Sequence, residues 1–174
     1  MSAVAPVLSA SGLVMRFGGI TATNNVSLQL RPGARHALIG PNGAGKTTLI
    51  NLLTGVLTPT EGRIELLGED ITRLAPHQRV SRGMVRTFQI NQLFDSMTPL
   101  ETLTLVVSQH QGLGRQWWQV LGANKAVVER AAQLLEQFRL ADVAQVQTRH
   151  LAYGKRRLLE IAIALACGAR VLLL

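Results

Sequence analysis

The sequence predicts an α/β fold built around a phosphate-binding loop, with a helical subdomain inserted into it. Residues 40–48 read GPNGAGKTT, which fits the spacing G-x-x-x-x-G-K-[ST]. Residues 35–39 (Arg-His-Ala-Leu-Ile) before the loop predict a short buried strand, and apolar residues at helical spacing over 48–53 predict a helix after it. The order strand, loop, helix is much more specific than the motif alone, whose alternative is a glycine-rich turn that binds nothing.

Each residue type in the loop suits the binding of a polyphosphate. Gly43 and Gly45 can adopt backbone angles that side chains forbid, so the loop can close around a phosphate with its N–H groups pointing inward. A helix that begins near Lys46 adds the positive end of its dipole. The Lys46 ammonium is placed to reach the β- and γ-phosphates, and the Thr47 hydroxyl to bind Mg²⁺. The predicted phosphate-binding residues are Gly40, Pro41, Asn42, Gly43, Ala44, Gly45, Lys46, Thr47 and Thr48.

Composition narrows the class of protein. The 174 residues, 47% hydrophobic and 16% charged, fit one soluble globular domain, and no apolar run is long enough to span a bilayer. The single cysteine, Cys167, cannot form an internal disulfide and suggests a reducing, cytosolic compartment. The net charge of +8 could indicate a nucleic-acid partner. The basic residues are scattered, however, and no aromatic residues lie among them for base stacking, so we expect no nucleic-acid partner.

In the first half of the chain, short strands and helices are predicted in turn. Pro32 and Gly33 mark a β-turn before the loop strand, and Gly55 can end the first helix. A short helix begins with Pro76 in its first turn. The predicted strands cover residues 8–17, 26–30, 35–39 and 63–67, and an extended piece covers 85–89.

The second half is predicted to be mainly helical. Thr98, Pro99 and Glu101 have the spacing of a capping box, so a helix should run from there to about His110. Further helices are predicted over 125–139 and 154–167, with a loop over 112–124 and a strand over 170–174. We therefore divide the chain into three parts: a nucleotide-binding core over 1–96, a helical subdomain over 97–150, and a last part over 151–174.

Three further features lie in a particular order along the chain. Phe17 ends the first predicted strand, Gln89 ends the segment Val-Arg-Thr-Phe-Gln, and residues 151–155 read Leu-Ala-Tyr-Gly-Lys before a helix. In this order, and over nearly the whole chain, they resemble the ATP-binding subunits of ABC transporters. The closest similarity is to the branched-chain amino acid uptake group, whose members carry a similar Arg-Phe-Gly-Gly, Val-Arg-Thr-Phe-Gln and Leu-Ala-Tyr-Gly.

The resemblance implies a role for each of these residues. Phe17 would stack on the adenine of ATP, although a core aromatic is the alternative. Lys46 would be catalytic, and Gln89 would touch Mg²⁺ and the nucleophilic water and would relay the nucleotide state to transmembrane permease subunits. Two subunits would pair head to tail, so that the signature segment of one closes over the γ-phosphate held by the other. That segment consists of Leu151, Ala152, Tyr153, Gly154 and Lys155.

The signature segment departs from the commonest family pattern, Leu-Ser-Gly-Gly-Gln. Ala152 removes the Ser hydroxyl, and Lys155 replaces Gln and could supply a charge instead. Because the branched-chain group often carries Ala-Tyr, we interpret the variant as a mark of that group. For the run Lys155, Arg156 and Arg157, contact with a phosphate and a solvated helical turn are both open. The adjacent Trp117 and Trp118 could likewise contact a membrane partner or simply pack.

The last residues, 171–174, read Val-Leu-Leu-Leu. In the family this strand precedes an Asp for Mg²⁺, a Glu that serves as general base and a later His, so we expect a truncated ATPase subunit with negligible turnover and unpaired strand edges. The resemblance implies that the parent drives the import of solutes, with branched-chain amino acids as the expected solutes, by ATP hydrolysis at the cytoplasmic face of the cell membrane. The alternatives are a non-hydrolysing fragment or pseudo-enzyme, a soluble ABC protein of ribosomes or DNA, and the ATPase of another system such as lipopolysaccharide export.

Overall fold

The chain forms two compact units in the computed structural model, which describes residues 5–87, 95–112 and 124–174. The first unit comprises Met1–Val85 with Leu173, and the second comprises Arg86–Leu172 with Leu174. Strands dominate the first unit and helices the second, as the predicted α/β fold with a helical part requires. The proposed division into three parts stays a prediction.

An antiparallel sheet is the main feature of the first unit. Its strand order is β2-β1-β3-β4, and Leu8 at the start of β1 pairs with Leu30 of β2 and Leu66 of β3. Apolar side chains of β1 and β3 point into the core, because alternate residues of a strand face one side of the sheet. The strands are β1 (Leu8–Phe17), β2 (Ile20–Leu30), β3 (Glu61–Leu66) and β4 (Glu69–Asp70).

In this unit one predicted strand is formed but is longer than predicted, and another prediction is wrong. The strand predicted over 26–30 begins earlier, at Ile20, because Ile20 pairs with Phe17 across a tight turn and the polar residues that follow continue the ladder. The strand predicted over 35–39 is not formed, and Ile39 is 88% exposed. A strand needs a neighbour for its N–H and C=O groups, and within the described residues no strand pairs with this segment. The phosphate-binding loop therefore follows irregular chain.

Helix α1 (Lys46–Thr54) follows the loop, as predicted, and buries Leu49, Leu52 and Leu53. It ends at Gly55, whose φ of 79° allows the left-handed cap that terminates many helices. The first half continues with the short helix α2 (Pro76–Ser81) and the strand β5 (Met84–Arg86).

The second unit is built on three helices around one apolar core. Thr98 caps the first of them as predicted: its hydroxyl accepts from the N–H of Glu101 at 3.2 Å, and the Glu101 carboxylate accepts from the N–H of Thr98 at 2.8 Å. Helix α5 packs against the other two, so the segment that precedes it is fixed by this core. The elements are α3 (Pro99–His110), α4 (Lys125–Gln137), α5 (Tyr153–Ala166) and the strand β6 (Val171–Leu173).

Some predictions fall outside the described residues. These are the loop that contains Trp117 and Trp118 and the part of the extended piece that contains Gln89. Within the described part of the chain, no helix has the length and apolar character needed to cross a bilayer.

Candidate functional site

The glycines of the phosphate-binding loop adopt backbone angles that favour glycine. Gly43 has a φ of 81°, and Gly45, which caps α1, has a φ of 79°. At Gly45 there is also no room for a side chain, because a Cβ built there would lie 2.4 Å from the carbonyl oxygen of Ala22 in β2. The loop therefore packs tightly against the sheet where α1 begins.

The start of α1 presents backbone donors. Leu49 donates to the carbonyl of Gly45 at 2.8 Å, which closes the first turn of the helix. The N–H groups of Gly45, Lys46 and Thr47 have no backbone acceptor among the residues that the structure describes. Such free N–H groups at the positive end of a helix suit an anion such as a phosphate.

The Lys46 side chain lies across the loop that precedes it. Its ammonium donates to the carbonyl oxygens of Gly40 at 2.7 Å and Pro41 at 2.6 Å. Both acceptors are neutral, and anionic phosphate oxygens would form stronger bonds with the ammonium. The lysine is thus held at the loop and can exchange its partners when a polyphosphate binds.

The geometry of the loop fits a bound Mg²⁺–nucleotide. The two glycines have left-handed backbone angles, a Cβ built at Gly43 would meet no atom within 4 Å, and the nearby donors are the Lys46 ammonium and the N–H groups at the start of α1. Thr47 is exposed in the first turn of α1, and its hydroxyl is the kind of hard oxygen ligand that Mg²⁺ accepts. In the part of the chain that the structure describes, Gly40 to Thr48 are thus brought together as the motif requires.

Phe17 is 47% exposed at the end of β1, beside the turn that leads to Ile20. This exposure argues against the alternative of a core aromatic and leaves the ring face available for stacking. Because Gln89 lies outside the described residues, its contacts with metal, water and permease stay predictions.

The signature segment belongs to the second unit and leads into α5. Leu151 is buried, Ala152 is the N-cap of the helix, and Tyr153 is 79% exposed. A Cβ built at Gly154 would meet no atom within 4 Å, so the start of the helix is open. The N-terminus of α5 is therefore accessible to a partner, although its contact with a γ-phosphate stays a prediction.

The basic run after Gly154 is engaged within the unit. The Lys155 ammonium donates to the carbonyl oxygen of Arg139 at 2.5 Å and to the Asp142 carboxylate at 2.8 Å. Arg156 donates to the carbonyl oxygens of Leu151 and Arg149, and Arg157 forms an ion pair with Glu160. These contacts brace the segment before α5, which favours a structural role over a free charge at Lys155.

The contact between Lys155 and Asp142 should make stability depend on pH. The hydrogen bond from Lys155 lowers the pKa of Asp142 below the ordinary value of 3.8. Burial opposes this change, and the positive charge of Lys155 adds to it. A carboxylate whose pKa is lower in the folded state stabilises the fold above its unfolded pKa, and this stabilisation is lost as pH falls through the folded pKa. Asp142→Asn should therefore be less stable than the wild type at pH 7, and the difference should shrink in strong acid.

Urea unfolding at pH 7 and at pH 3 measures this difference. Glu129→Gln is the matched control, because Glu129 is 3.7 Å from Lys125 in an exposed pair and should matter little at either pH. An Asp142→Asn variant whose stability deficit is the same at both pH values would contradict the argument.

One buried polar residue was not predicted from the sequence. Arg79 in α2 is only 1% exposed and is hydrogen-bonded at the C-terminal end of α1. Arg79 lies in the last turn of a short predicted helix, where an arginine is usually exposed to solvent, so its burial was not expected.

The fold and the loop together define an α/β protein of the P-loop class. A family model described as ABC transporter matches residues 23–174. The chain therefore belongs to the ABC transporter family, a family of ATPases that bind ATP, normally with Mg²⁺.

Known proteins of this family are similar over almost the whole chain. The high-affinity branched-chain amino acid transport ATP-binding protein BraF of Pseudomonas aeruginosa is 42% identical over 97% of this chain and 68% of its own length. The corresponding protein LivG of Escherichia coli K12 is 44% identical with the same coverage. The solved ADP conformation of MJ1267, an ATP-binding cassette of an ABC transporter, superposes with a TM-score of 0.82 at 32% identity over 96% of this chain and 67% of that chain. The predicted family and fold class are thus confirmed.

Proposed function

We propose that the chain is the ATP-binding subunit of an ABC transporter and couples ATP binding and hydrolysis to the import of branched-chain amino acids. The observation that carries the proposal is the loop itself, with Gly43 and Gly45 in left-handed conformations and the Lys46 ammonium at its edge. The names of the relatives BraF and LivG support the choice of solute.

The proposed roles follow from the position and chemistry of the described residues and, for Gln89, from the resemblance of its segment to the family. The N–H groups at the start of α1 and the Lys46 ammonium hold the β- and γ-phosphates and stabilise the charge that develops on them. Thr47 and Gln89 hold Mg²⁺, which neutralises phosphate charge when bound. Phe17 stacks on adenine, and Gln89 also orients the attacking water. Catalysis of this kind depends mainly on positioning and electrostatics.

The proposed assembly has two ATP-binding subunits and transmembrane permease subunits. The subunits pair head to tail, so that Leu151, Ala152, Tyr153, Gly154 and Lys155 of one face the nucleotide of the other. The open N-terminus of α5 and the exposed Tyr153 are consistent with such a contact. Binding to a permease would place the subunit on the inner face of the cell membrane. No role in nucleic-acid binding is proposed.

A polypeptide of residues 1–174 alone is proposed to bind ATP weakly and to hydrolyse it negligibly. The resemblance places the general base, a Glu, after the strand that ends this sequence. Loss of a general base costs about 10²–10⁴ in rate. A turnover by this polypeptide above about 1 s⁻¹, near the low end of ordinary enzymes, would contradict that proposal.

Substitution of Lys46 tests the nucleotide site. Lys46→Met should weaken Mg·ATP binding by about 10- to 100-fold, because hydrogen bonds to charged groups contribute about 1.5–3 kcal/mol each. Isothermal titration with Mg·ATP measures the affinity, and circular dichroism checks that the fold is intact. Lys125→Met is the matched control, since that side chain is 91% exposed on α4. Equal affinity in the Lys46→Met variant and the wild type would refute the assignment.

The transport role is tested in the native host. Cells that carry Lys46→Met should take up labelled leucine more slowly than wild-type cells, whereas the Lys125→Met strain should not. Uptake of an unrelated sugar serves as the control for general loss of fitness. If Lys46→Met binds ATP more weakly but leucine uptake is unchanged, the assignment of the ATP site is kept and the choice of solute is overturned.

A further inference from the structure

Arg79 is a buried cation whose hydrogen-bond partners are backbone carbonyls. Its Nη1 donates to the carbonyl oxygens of Leu52 at 2.7 Å and Leu53 at 2.6 Å. Its Nη2 donates to Thr72 at 2.9 Å and its Nε to Leu74 at 3.0 Å. The side chain is only 1% exposed, so these four bonds replace the water that the guanidinium would otherwise bind.

The position of the guanidinium explains how its charge is tolerated. Leu52 and Leu53 lie in the last turn of α1, where the carbonyls lack the usual i+4 donors and the helix dipole is negative, although the Leu52 carbonyl also accepts from the N–H of Gly55 at 3.2 Å. Burial lowers the pKa of Arg79, and the charge of Asp70 opposes that change. A guanidinium stays protonated in proteins, so Arg79 is a positive charge on the negative end of α1.

The chain around this contact allows little adjustment. A Cβ built at Gly55, the residue that ends α1, would lie 2.7 Å from Nε of Arg79 and 2.7 Å from the carbonyl oxygen of Leu74. The backbone therefore turns closely around the guanidinium. Because the same Arg79 also bonds Thr72 and Leu74, it ties the end of α1 to the segment that leads into α2.

The two ends of α1 are held by different contacts. At the N-terminal end, Gly45 lies against the carbonyl of Ala22, and at the C-terminal end Arg79 binds the last turn. The helix has nine residues, so its length is about 14 Å. Arg79 is thus too far from the loop to touch a phosphate, and any effect on the loop must pass through the helix.

We propose that Arg79 is a positioning residue for the phosphate-binding loop, which it aligns by fixing the C-terminal end of α1. The inference rests on the proposed function, in that the loop binds Mg·ATP. Without Arg79 the C-terminal end of α1 loses this anchor, and a tilt of the helix about the contact at Gly45 changes the direction of the N–H groups at its start relative to Gly40 and Gly43. Misalignment of one hydrogen bond to a charged phosphate oxygen would weaken binding by about 10- to 100-fold.

The test compares Arg79→Met and Arg79→Lys with Leu8→Ala. Leu8 is fully buried at the start of β1, so its truncation lowers stability at a position outside α1 and α2. Mg·ATP affinity is measured by isothermal titration at a temperature at which each variant is folded. Arg79→Met should bind Mg·ATP about 10- to 100-fold more weakly, and Arg79→Lys, which keeps the charge but not the fork of donors, should lose less. Leu8→Ala should keep wild-type affinity.

Hydrogen exchange of the α1 amides, without nucleotide, is the second readout. Both Arg79 variants should exchange faster over residues 50–54 than the wild type, and Leu8→Ala should not do so selectively. If Arg79→Met does not fold, Arg79→Lys carries both measurements. Wild-type affinity in the folded Arg79 variants, or an equal affinity loss in Leu8→Ala, overturns the positioning role alone. Absence of Mg·ATP binding by the wild type overturns the proposed function and this inference with it.

Discussion

Gly45→Ala should destabilise the chain by about 2–5 kcal/mol, even in the absence of nucleotide. Two costs add at this position. An alanine at a φ of 79° is strained by about 1–3 kcal/mol. Its Cβ would also lie 2.4 Å from the carbonyl oxygen of Ala22, so either α1 or β2 must move. Urea unfolding followed by circular dichroism measures the loss.

Two other glycines of the same loop separate these costs. Gly43 has a φ of 81°, but a Cβ there meets nothing within 4 Å, so Gly43→Ala should show the backbone strain without the clash. Gly40 does not have a positive φ, and its Cβ would meet Ala44 at 3.4 Å, an ordinary contact. Gly40→Ala should therefore change stability by no more than about 0.5 kcal/mol.

The order of the three variants is the decisive result. We expect stability to decrease from Gly40→Ala through Gly43→Ala to Gly45→Ala. If Gly43→Ala and Gly45→Ala are equally stable, the backbone of β2 at Ala22 can move away from the new Cβ without cost. The close packing of the loop against the sheet would then make no contribution to stability. Titration of the folded variants with Mg·ATP then shows whether a change in the shape of the loop lowers the affinity for Mg·ATP, separately from its effect on the free energy of unfolding.

This series also shows what the sequence could and could not predict. The motif identified Gly43 and Gly45 because backbone freedom is a property of the residue type, which is visible in the sequence. The contact of Gly45 with Ala22 depends on the long pairing of β1 with β2. This pairing was not predicted in full, because the first half of β2 contains polar residues. Hydrophobic periodicity indicates burial, and it fails where a tight turn and main-chain pairing determine the strand.

The same kind of cause explains why the strand prediction over 35–39 is wrong and why the burial of Arg79 was not predicted. A short segment that ends in apolar residues, such as Arg-His-Ala-Leu-Ile, forms a strand only where a neighbouring strand pairs with its N–H and C=O groups. An arginine is expected in solvent until the chain supplies enough carbonyls to bury it, as Leu52, Leu53, Thr72 and Leu74 do for Arg79. Both outcomes depend on distant segments. By contrast, the capping box at Thr98 was predicted correctly because it involves only four consecutive residues.

Leu134→Ala should cost about 2–5 kcal/mol, the usual range for truncating a buried leucine. Leu134 is 1% exposed in the core that α3, α4 and α5 share. The cost has two parts: the lost burial of the side chain and the cavity left where the helices cannot collapse. Glu136→Ala, an exposed substitution two residues away on α4, should change stability by no more than about 0.5 kcal/mol.

The same substitution tests whether the core supports the signature segment. Leu159 and Ile163 of α5 belong to the core that contains Leu134, and Leu151 immediately before the helix is buried in it as well. A cavity at Leu134 should therefore raise hydrogen exchange over residues 157–163 in addition to that of α4. If α4 alone exchanges faster and α5 keeps its protection, the signature segment is held by Lys155, Arg156 and their carbonyl partners. The open helix start offered to a partner subunit would then depend on those polar contacts and not on the shared apolar core.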